Sequence, residues 1–406
     1  MDSVATIDKR VLERARVSRD PRFDGRFYVG VMTTGIYCRP ICPANTPNSE
    51  NVRFFATAAA AGEAGFRPCL RCRPECAPGT SAWAGTSTTV RRGLRLIADG
   101  ALDEGDVEKL AVRLGVTSRH LRRLFVRHVG ASPLAVAHTQ RLQFAKRLID
   151  ETTLPMKDIS VAAGFGSVRR FNDTFRRVYG KTPRELRRGG VAARACGSFS
   201  LLLSYRKPYG WDRLLGFYAA RAIPCVEQVV DGRYRRSIRY GDGHGVIEIH
   251  DTGDALSLAV HGLQTESLLA LVQRVRGMFD VDAPIDEIGP VLRRDARLRA
   301  WLGDNPGVRV PGAWDGWELA VRAVLGQQVS VAAATTFAGR IVERYGDAVS
   351  VDGLDEGPNR LFPAPPALAR ARLEHLGIIG SRAKTIRDLA RAVAVSYTHL
   401  RAHETA

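Results

Sequence analysis

Two cysteine pairs, C-x3-C at Cys38 and Cys42 and C-x2-C at Cys69 and Cys72, stand 26 residues apart near the start of the chain. Pairs spaced this way can bring four sulfurs to the corners of a tetrahedron, the closed geometry that zinc prefers. A fifth cysteine, Cys76, follows closely and is the weaker candidate ligand, while Cys196 and Cys225 stand alone. Seven cysteines are an odd number, and five crowd into one segment. In a reducing compartment that pattern reads as metal ligands rather than disulfides. Zinc keeps bound sulfurs deprotonated at neutral pH, so a thiolate held there can attack an electrophilic carbon. Most such sites are purely structural, and spacing alone does not choose a reactive sulfur among the four.

At 406 residues the chain exceeds one ordinary core and implies roughly two to four domains. A Cys- and Pro-rich segment spans 1–78, and Pro78 to Thr89 has the small, polar composition of a linker. Apolar residues then recur at helical spacing to about Arg188. Beyond Gly190 the texture turns to alternating, strand-like runs: Ser198 to Tyr205, Cys225 to Val230, Arg233 to Tyr240, Gly245 to His250 and Ala255 to Val260. Helical patterns at Trp211 to Ala222 and Glu266 to Phe279 flank them, giving a small antiparallel α+β unit over 195–305. A helical region runs from about Leu292 to Val393, with a turn at Leu361 to Pro366. Ser396 to Ala406 shows no continuation of that texture, resembles a translated sequencing adapter, and is expected to be foreign to the fold.

Sixty Lys and Arg against 42 Asp and Glu leave a formal charge of +18, which favours a polyanionic partner and binding that weakens with salt. Charge alone does not separate nucleic acid from an anionic membrane. No stretch approaches the ~20 apolar residues of a spanning helix. MDSVATIDKR lacks the apolar core of a secretion signal. A soluble, cytoplasmic protein with no membrane partner is expected.

The segment Val107 to Phe125 (VEKLAVRLGVTSRHLRRLF) reads as helix, glycine turn and second helix, with Leu110, Leu114, Val116, Leu121, Leu124 and Phe125 as its apolar face and Thr117 as N-cap. Arg119, His120, Arg122 and Arg123 take the outward side. The pattern returns over Lys157 to Pro183: Gly115 maps to Gly164 at an offset of 49, and Leu121, Phe125, Gly130 and Pro133 map to Phe171, Phe175, Gly180 and Pro183 at 50. Here Val168, Phe171, Phe175 and Val178 are the expected buried stripe, leaving Arg169, Arg170, Asn172, Asp173, Arg176 and Arg177 outside. Asn and Arg can read adenine and guanine edges. One helix-turn-helix match is weak, since many helical hairpins never touch DNA; two basic copies in tandem are stronger.

Three resemblances follow from these segments. TTGIYCRPIC (Thr33 to Cys42) and NVRFF…AGFRPCLRCRPE (Asn51 to Glu75) resemble the N-terminal domain of the Ada family, over nearly the whole first segment. That resemblance implies a domain that takes a methyl group irreversibly from a DNA methylphosphotriester onto one zinc-bound cysteine. Cys38 matches the acceptor, and Cys42, Cys69 and Cys72 the other ligands. Arg39, Arg67, Arg71 and Arg73 lie beside the sulfurs and are candidates to hold the DNA backbone, although any one can equally be a solvated surface charge. Residues 90–188 resemble the double helix-turn-helix of the AraC/XylS family, which places two recognition helices in successive major grooves.

Tyr209 to Glu227 (YGWDRLLGFYAARAIPCVE), Pro311 to Ala334 and Leu376 to Val393 resemble the 3-methyladenine glycosylases of the AlkA type. Such enzymes flip an alkylated base into an aromatic pocket and cleave its glycosidic bond with an aspartate. Phe217 matches a pocket aromatic, or is simply a core phenylalanine. Gln328 stands where an apolar wedge would enter the duplex, and its polarity argues against insertion. The family's Pro-Gly-x-Gly hairpin and catalytic aspartate belong after Val393, and Asp315, Asp347, Asp352 and Asp355 do not replace them. No catalytic aspartate and no base excision are therefore expected of residues 306–394. Nothing resembles the Pro-Cys-His-Arg motif of a second, O6-methylguanine acceptor.

The resulting expectation is a multidomain α+β protein: a small zinc domain (1–78), a linker (79–89), an all-α double helix-turn-helix (90–188), a small antiparallel α+β domain (195–305), an incomplete helical glycosylase domain (306–394) and the adapter-like tail (395–406). It would be a single-turnover methyl acceptor that activates repair genes, binding double-stranded DNA and RNA polymerase. The rivals are a regulator whose zinc is only a scaffold, a working base-excision glycosylase, and an iron-sulfur or redox sensor.

Overall fold

A computed structural model describes residues 8–77, 88–98, 100–102, 106–187, 198–241, 243–263, 268–351, 354 and 356–402. The mixed helical architecture with two small sheets agrees with the expected fold class.

The cysteine module opens with α1 (Lys9–Val17), whose N-terminus the Asp8 side chain caps at the Arg10 N–H. Leu12 and Ala15 of α1 pack on Phe27, Val29 and Val52. Strands β1 (Tyr28–Val31), β2 (Ile36–Cys38) and β3 (Val52–Phe55), helix α2 (Ala58–Glu63) and strand β4 (Arg67–Pro68) follow. The sheet order is β3-β1-β2-β4; β1 runs antiparallel to β2 and β3, and β4 runs parallel to β2. Gly30, opposite Tyr37 in β1, lies under Phe55 and Phe66: a Cβ there would come within 2.6 Å of the Phe55 ring. Only glycine lets both rings close over the strand.

Thr88–Ala98 forms α3, so the last two residues of the expected linker are helical; the rest of that run, 78–87, lies outside the described residues. The two predicted helix-turn-helix units are present: α4 (Val107–Arg113) with α5 (Ser118–Val129), then α7 (Met156–Ala162) with α8 (Val168–Tyr179), joined by α6 (Pro133–Glu151). Thr117 caps α5 at the His120 N–H, and Ser167 caps α8 at the Arg170 N–H. Gly115 and Gly164 make the turns at φ +70 and +72, where a side chain would strain the backbone. In α8 the buried stripe is Phe171, Phe175 and Tyr179; Val168 is exposed rather than buried, as the first residue of α8, one turn short of Phe171. The unit ends with α9 (Pro183–Leu186), which carries a full capping box between Thr182 and Glu185.

The five predicted strands form one antiparallel sheet: β5 (Ser198–Ser204), β6 (Glu227–Val230), β7 (Arg233–Tyr240), β8 (Gly243–Asp251) and β9 (Ala255–His261), in the order β5-β9-β8-β7-β6. Helices α10 (Trp211–Ala219) and α11 (Leu268–Met278) cover it. Its core is continuous with that of the second helix-turn-helix, since Phe171 and Phe175 share one buried cluster with Leu201, Leu203 and Val275.

The helical region begins earlier than expected, at α12 (Ile285–Leu292), and continues through α13 (Ala296–Asp304), α14 (Gly316–Leu325), α15 (Val331–Tyr345), α16 (Pro365–Leu368) and α17 (Gly380–Ala402). The expected break at Ser396 is not there: α17 carries the helical backbone on through Ala402. Once Ile386 and Ala390 anchor α17 in the core, elongation costs little per residue, so weak helix formers follow. No helix among the described residues is long and apolar enough to cross a membrane.

Candidate metal centre and nucleic-acid interface

The sheet register brings the two cysteine pairs together. Cys38 closes β2 opposite Val29, and the Cys69 N–H donates to the Tyr37 carbonyl at 3.0 Å, which sets Cys69 beside Cys38. The Cys42 N–H donates to the Arg39 carbonyl (3.1 Å) and the Arg73 N–H to that of Cys69 (3.2 Å), so each pair closes its own tight turn. The sulfurs of Cys38, Cys42, Cys69 and Cys72 all lie within 4.8 Å of one another. Four Zn–S bonds of about 2.3 Å at tetrahedral angles would put sulfurs roughly 3.8 Å apart, so the donor set fits zinc by number, softness and spacing.

Taken alone, the thiols compete for protons. Contact with Cys42 pushes the Cys38 thiol far up, while contact with Cys38 draws Cys42 down to about 7 and draws Cys69 down further. Four sulfurs this close cannot all ionise unless a cation offsets their charge.

The backbone treats the sulfurs unequally. The Arg39 N–H donates to Cys72 Sγ at 3.3 Å. The N–H groups of Ala44 and Cys72 face Cys42 and Cys69 and favour their thiolates. Cys38 lines, with Cys42 and Cys69, a cleft of about 200 Å³ walled by Arg16, Arg19, Ile36 and Pro40; Cys72 does not reach it.

The arginines beside the sulfurs divide. Arg39 turns inward, its Nε donating to Asp24 Oδ1 (2.8 Å) and its Nη1 to the Cys72 carbonyl (3.1 Å), so it joins the two cysteine turns rather than facing solvent. Arg73 Nη2 lies 2.8 Å from Asp150 of α6. Arg67 and Arg71 are exposed. Asp24, Arg16 and Arg19 were not singled out from the sequence, because each meets the site through contacts far apart in the chain.

On α5, Arg119, Arg122 and Arg123 are exposed and His120 is half-buried; Arg122 pairs with Glu108 (3.0 Å), and Arg123 meets His120 Nδ1 (3.1 Å). On α8, Arg169, Arg170 and Arg176 are exposed and Asn172 is half-buried, with Arg169 3.9 Å from Asp173. All seven of these α5 and α8 residues and Asn172 stand off the buried stripes, as their spacing predicts.

Phe217 lies on α10, 37% exposed, with the Arg221 guanidinium 3.9 Å from its ring centre. Gln328 is exposed at the tip between α14 and α15, in a left-handed conformation (φ +57). Buried Arg236 of β7 pairs with Glu227 (3.2 Å) and with Glu318 of α14, and Arg322 pairs with Glu227 (3.0 Å), tying sheet to helices.

Four family models match in chain order: the metal-binding domain of Ada over 12–75, a helix-turn-helix domain over 110–189, the AlkA N-terminal domain over 200–315, and the HhH-GPD superfamily of base-excision DNA repair proteins over 321–405. A probable bifunctional transcriptional activator/DNA repair enzyme AlkA of Mycobacterium tuberculosis is 43% identical over 386 residues, covering 94% of this chain and 77% of its own. The DNA-3-methyladenine glycosylase 2 of Escherichia coli is 34% identical over 200 residues, covering 47% of this chain and 66% of its own. The bifunctional transcriptional activator/DNA repair enzyme Ada of Escherichia coli is 34% identical over 177 residues, covering 43% and 48%. With the Ada metal-binding model falling on the four-cysteine cluster, zinc is the cofactor of the N-terminal module. The chain belongs to the family of bifunctional transcriptional activator/DNA repair proteins that join an Ada-type metal-binding domain and a helix-turn-helix reader to an AlkA-type glycosylase region.

Proposed function

We propose that Cys38 is a suicidal methyl acceptor for DNA methylphosphotriesters, with Cys42, Cys69 and Cys72 as its fellow zinc ligands. One observation carries this reading: Cys38, the position that matches the family's acceptor, lines the open cleft beside Arg16 and Arg19, whereas Cys72, which takes the Arg39 N–H, does not reach it. An N–H donor draws electron density from a sulfur, which makes the donated Cys72 a weaker nucleophile. Zinc, when bound, holds the sulfurs as thiolates at neutral pH. The Cys38 sulfur attacks the methyl carbon, an S–CH3 bond forms, the C–O bond breaks, and its electron pair leaves on the phosphate oxygen as an ordinary phosphodiester. No proton is needed. Arg39, held by Asp24, keeps the Cys69–Cys72 turn in place beneath the attacking sulfur.

Methylation removes one negative charge from the site, which weakens its repulsion of nearby phosphates and raises DNA affinity. Helices α5 and α8 then read promoter DNA, and RNA polymerase is the downstream partner. The reducing cytoplasm is the compartment where these thiols persist. For residues 198–402 we propose recognition of alkylated duplex through Phe217 without excision by these residues alone, as no aspartate among them matches the one that the family resemblance calls for. Label from methyl-phosphotriester DNA should reach the protein once per chain and stop. Turnover, or no transfer by zinc-loaded protein, rejects the proposal.

A further inference from the structure

The cysteine module touches both recognition helices at the same end. Thr57, which caps α2, donates from Oγ1 to the carbonyl of Val129, the last residue of α5, in a buried bond of 3.1 Å. Ala59 of α2 belongs to the core of the first helix-turn-helix. At the other reader, strand β4 of the module packs against α8, which ends in buried Tyr179. Arg67 of β4 lies beside Gly180, which caps α8 in the left-handed conformation: a Cβ on Gly180 would stand 3.8 Å from Arg67 Nη1.

Between these two points the module grips the connecting helix. Arg73, next to Cys72, places Nη2 2.8 Å from Asp150 and 3.7 Å from Glu151 in the last turn of α6. Glu75 lies 3.8 Å from buried Lys146, which also pairs with Asp150. Glu75, Lys146 and Asp150 are almost wholly removed from solvent. Buried pairs of this kind add little net stability but penalise any other arrangement, because a slipped partner leaves an unpaired buried charge.

We propose that the cysteine module is a brace for the double reader: through Thr57, strand β4 and Arg73 it fixes the separation at which α5 and α8 meet two half-sites on duplex DNA. A rigid two-helix reader must match half-sites about one helical turn apart. Helix α6 alone gives one connection, and the module adds fixed points at both helix ends. Arg73 is thus a positioning residue, adjacent to a zinc ligand but directed at the reader. This rests on the reading of α5 and α8 as the DNA-contacting helices, and the first measurement below uses no DNA, so the two can fail separately.

The test uses the full zinc-loaded chain and its Arg73→Ala, Arg73→Lys and Asp150→Asn variants. Amide hydrogen exchange in α8 and the last turn of α6 should accelerate about tenfold in Arg73→Ala and Asp150→Asn, with α3 unchanged, zinc retained and Arg73→Lys close to wild type. On a duplex selected from a random pool by the wild type, a two-base-pair insertion between half-sites should cost wild type about tenfold or more and the loosened variants about threefold or less. Wild-type exchange in both variants overturns the proposal. So does faster exchange with an undiminished insertion penalty, because α6 would then set the distance unaided. Should Arg73→Ala lose its metal, Asp150→Asn, remote from the sulfurs, decides.

Discussion

Arg39 Nε donates to Asp24 Oδ1 at 2.8 Å while the Arg39 backbone N–H holds Cys72 Sγ at 3.3 Å. One residue therefore links a loop carboxylate, one cysteine turn and the other, and its charge is spent inside the protein. Replacing Asp24 by Ala strands a largely buried guanidinium, and should destabilise the module by about 3 kcal/mol. The check is thermal melting alongside the rate of zinc loss to a chelator: a lower midpoint and faster release are expected. Equal melting would show that Arg39 finds a sufficient partner elsewhere.

The exposed cations of the readers should behave differently. Arg170→Ala and Arg176→Ala remove unburied charges from α8. Each should leave melting unchanged within about 0.5 kcal/mol. If each meets a phosphate, each should lower the slope of log affinity against log salt by about 1. Titrations at several salt concentrations measure this, and an unchanged slope would place these residues off the DNA.

Loss of an N-cap separates folding from contact. Ser167→Ala removes the acceptor for the Arg170 N–H at the start of α8. A cost of about 1 kcal/mol in the second helix-turn-helix is expected. Exchange rates in α8 should report it, with those in α5 unaffected.

Acid should loosen the joint between the C-terminal sheet and its helices. Burial opposes ionisation of Glu227, yet Arg236 and Arg322 outweigh it and hold the carboxyl below its ordinary value of 4.5. A lowered folded-state pKa means the unfolded chain binds the proton more readily. The stabilisation is fully present above about pH 4.5 and is lost as pH falls through the depressed value. Glu227→Gln should cost about 3–5 kcal/mol at pH 7 and flatten that acid limb in denaturant titrations. An acid limb that survives in the variant assigns it to other carboxylates.

Features carried by local pattern were legible in the sequence. The spacing of Cys38, Cys42, Cys69 and Cys72 foretold their convergence, and the offset repeat foretold α4–α5 and α7–α8 together with the cap at Thr117. The strand runs fell within a few residues of β5 to β9. What failed was long-range or context-dependent. The partners Asp24 for Arg39 and Asp150 for Arg73 carry no periodic signal, so both arginines looked free to meet DNA. Val168 has the right spacing for the buried stripe but stands exposed at the start of α8, while Tyr179, one turn beyond Phe175, is buried at its end. The backbone at 396–402 is helical because α17 is already nucleated, which composition alone did not show.

The most direct trial of the account is to expose zinc-loaded chain to duplex bearing methyl groups on backbone phosphates, digest it, and locate the added mass by peptide. A single methyl on the Cys38 peptide is predicted, absent from Cys38→Ser, with the other three zinc-site cysteines unmodified. Methyl found on Cys42, Cys69 or Cys72 instead, or captured undiminished by Cys38→Ser, would contradict it.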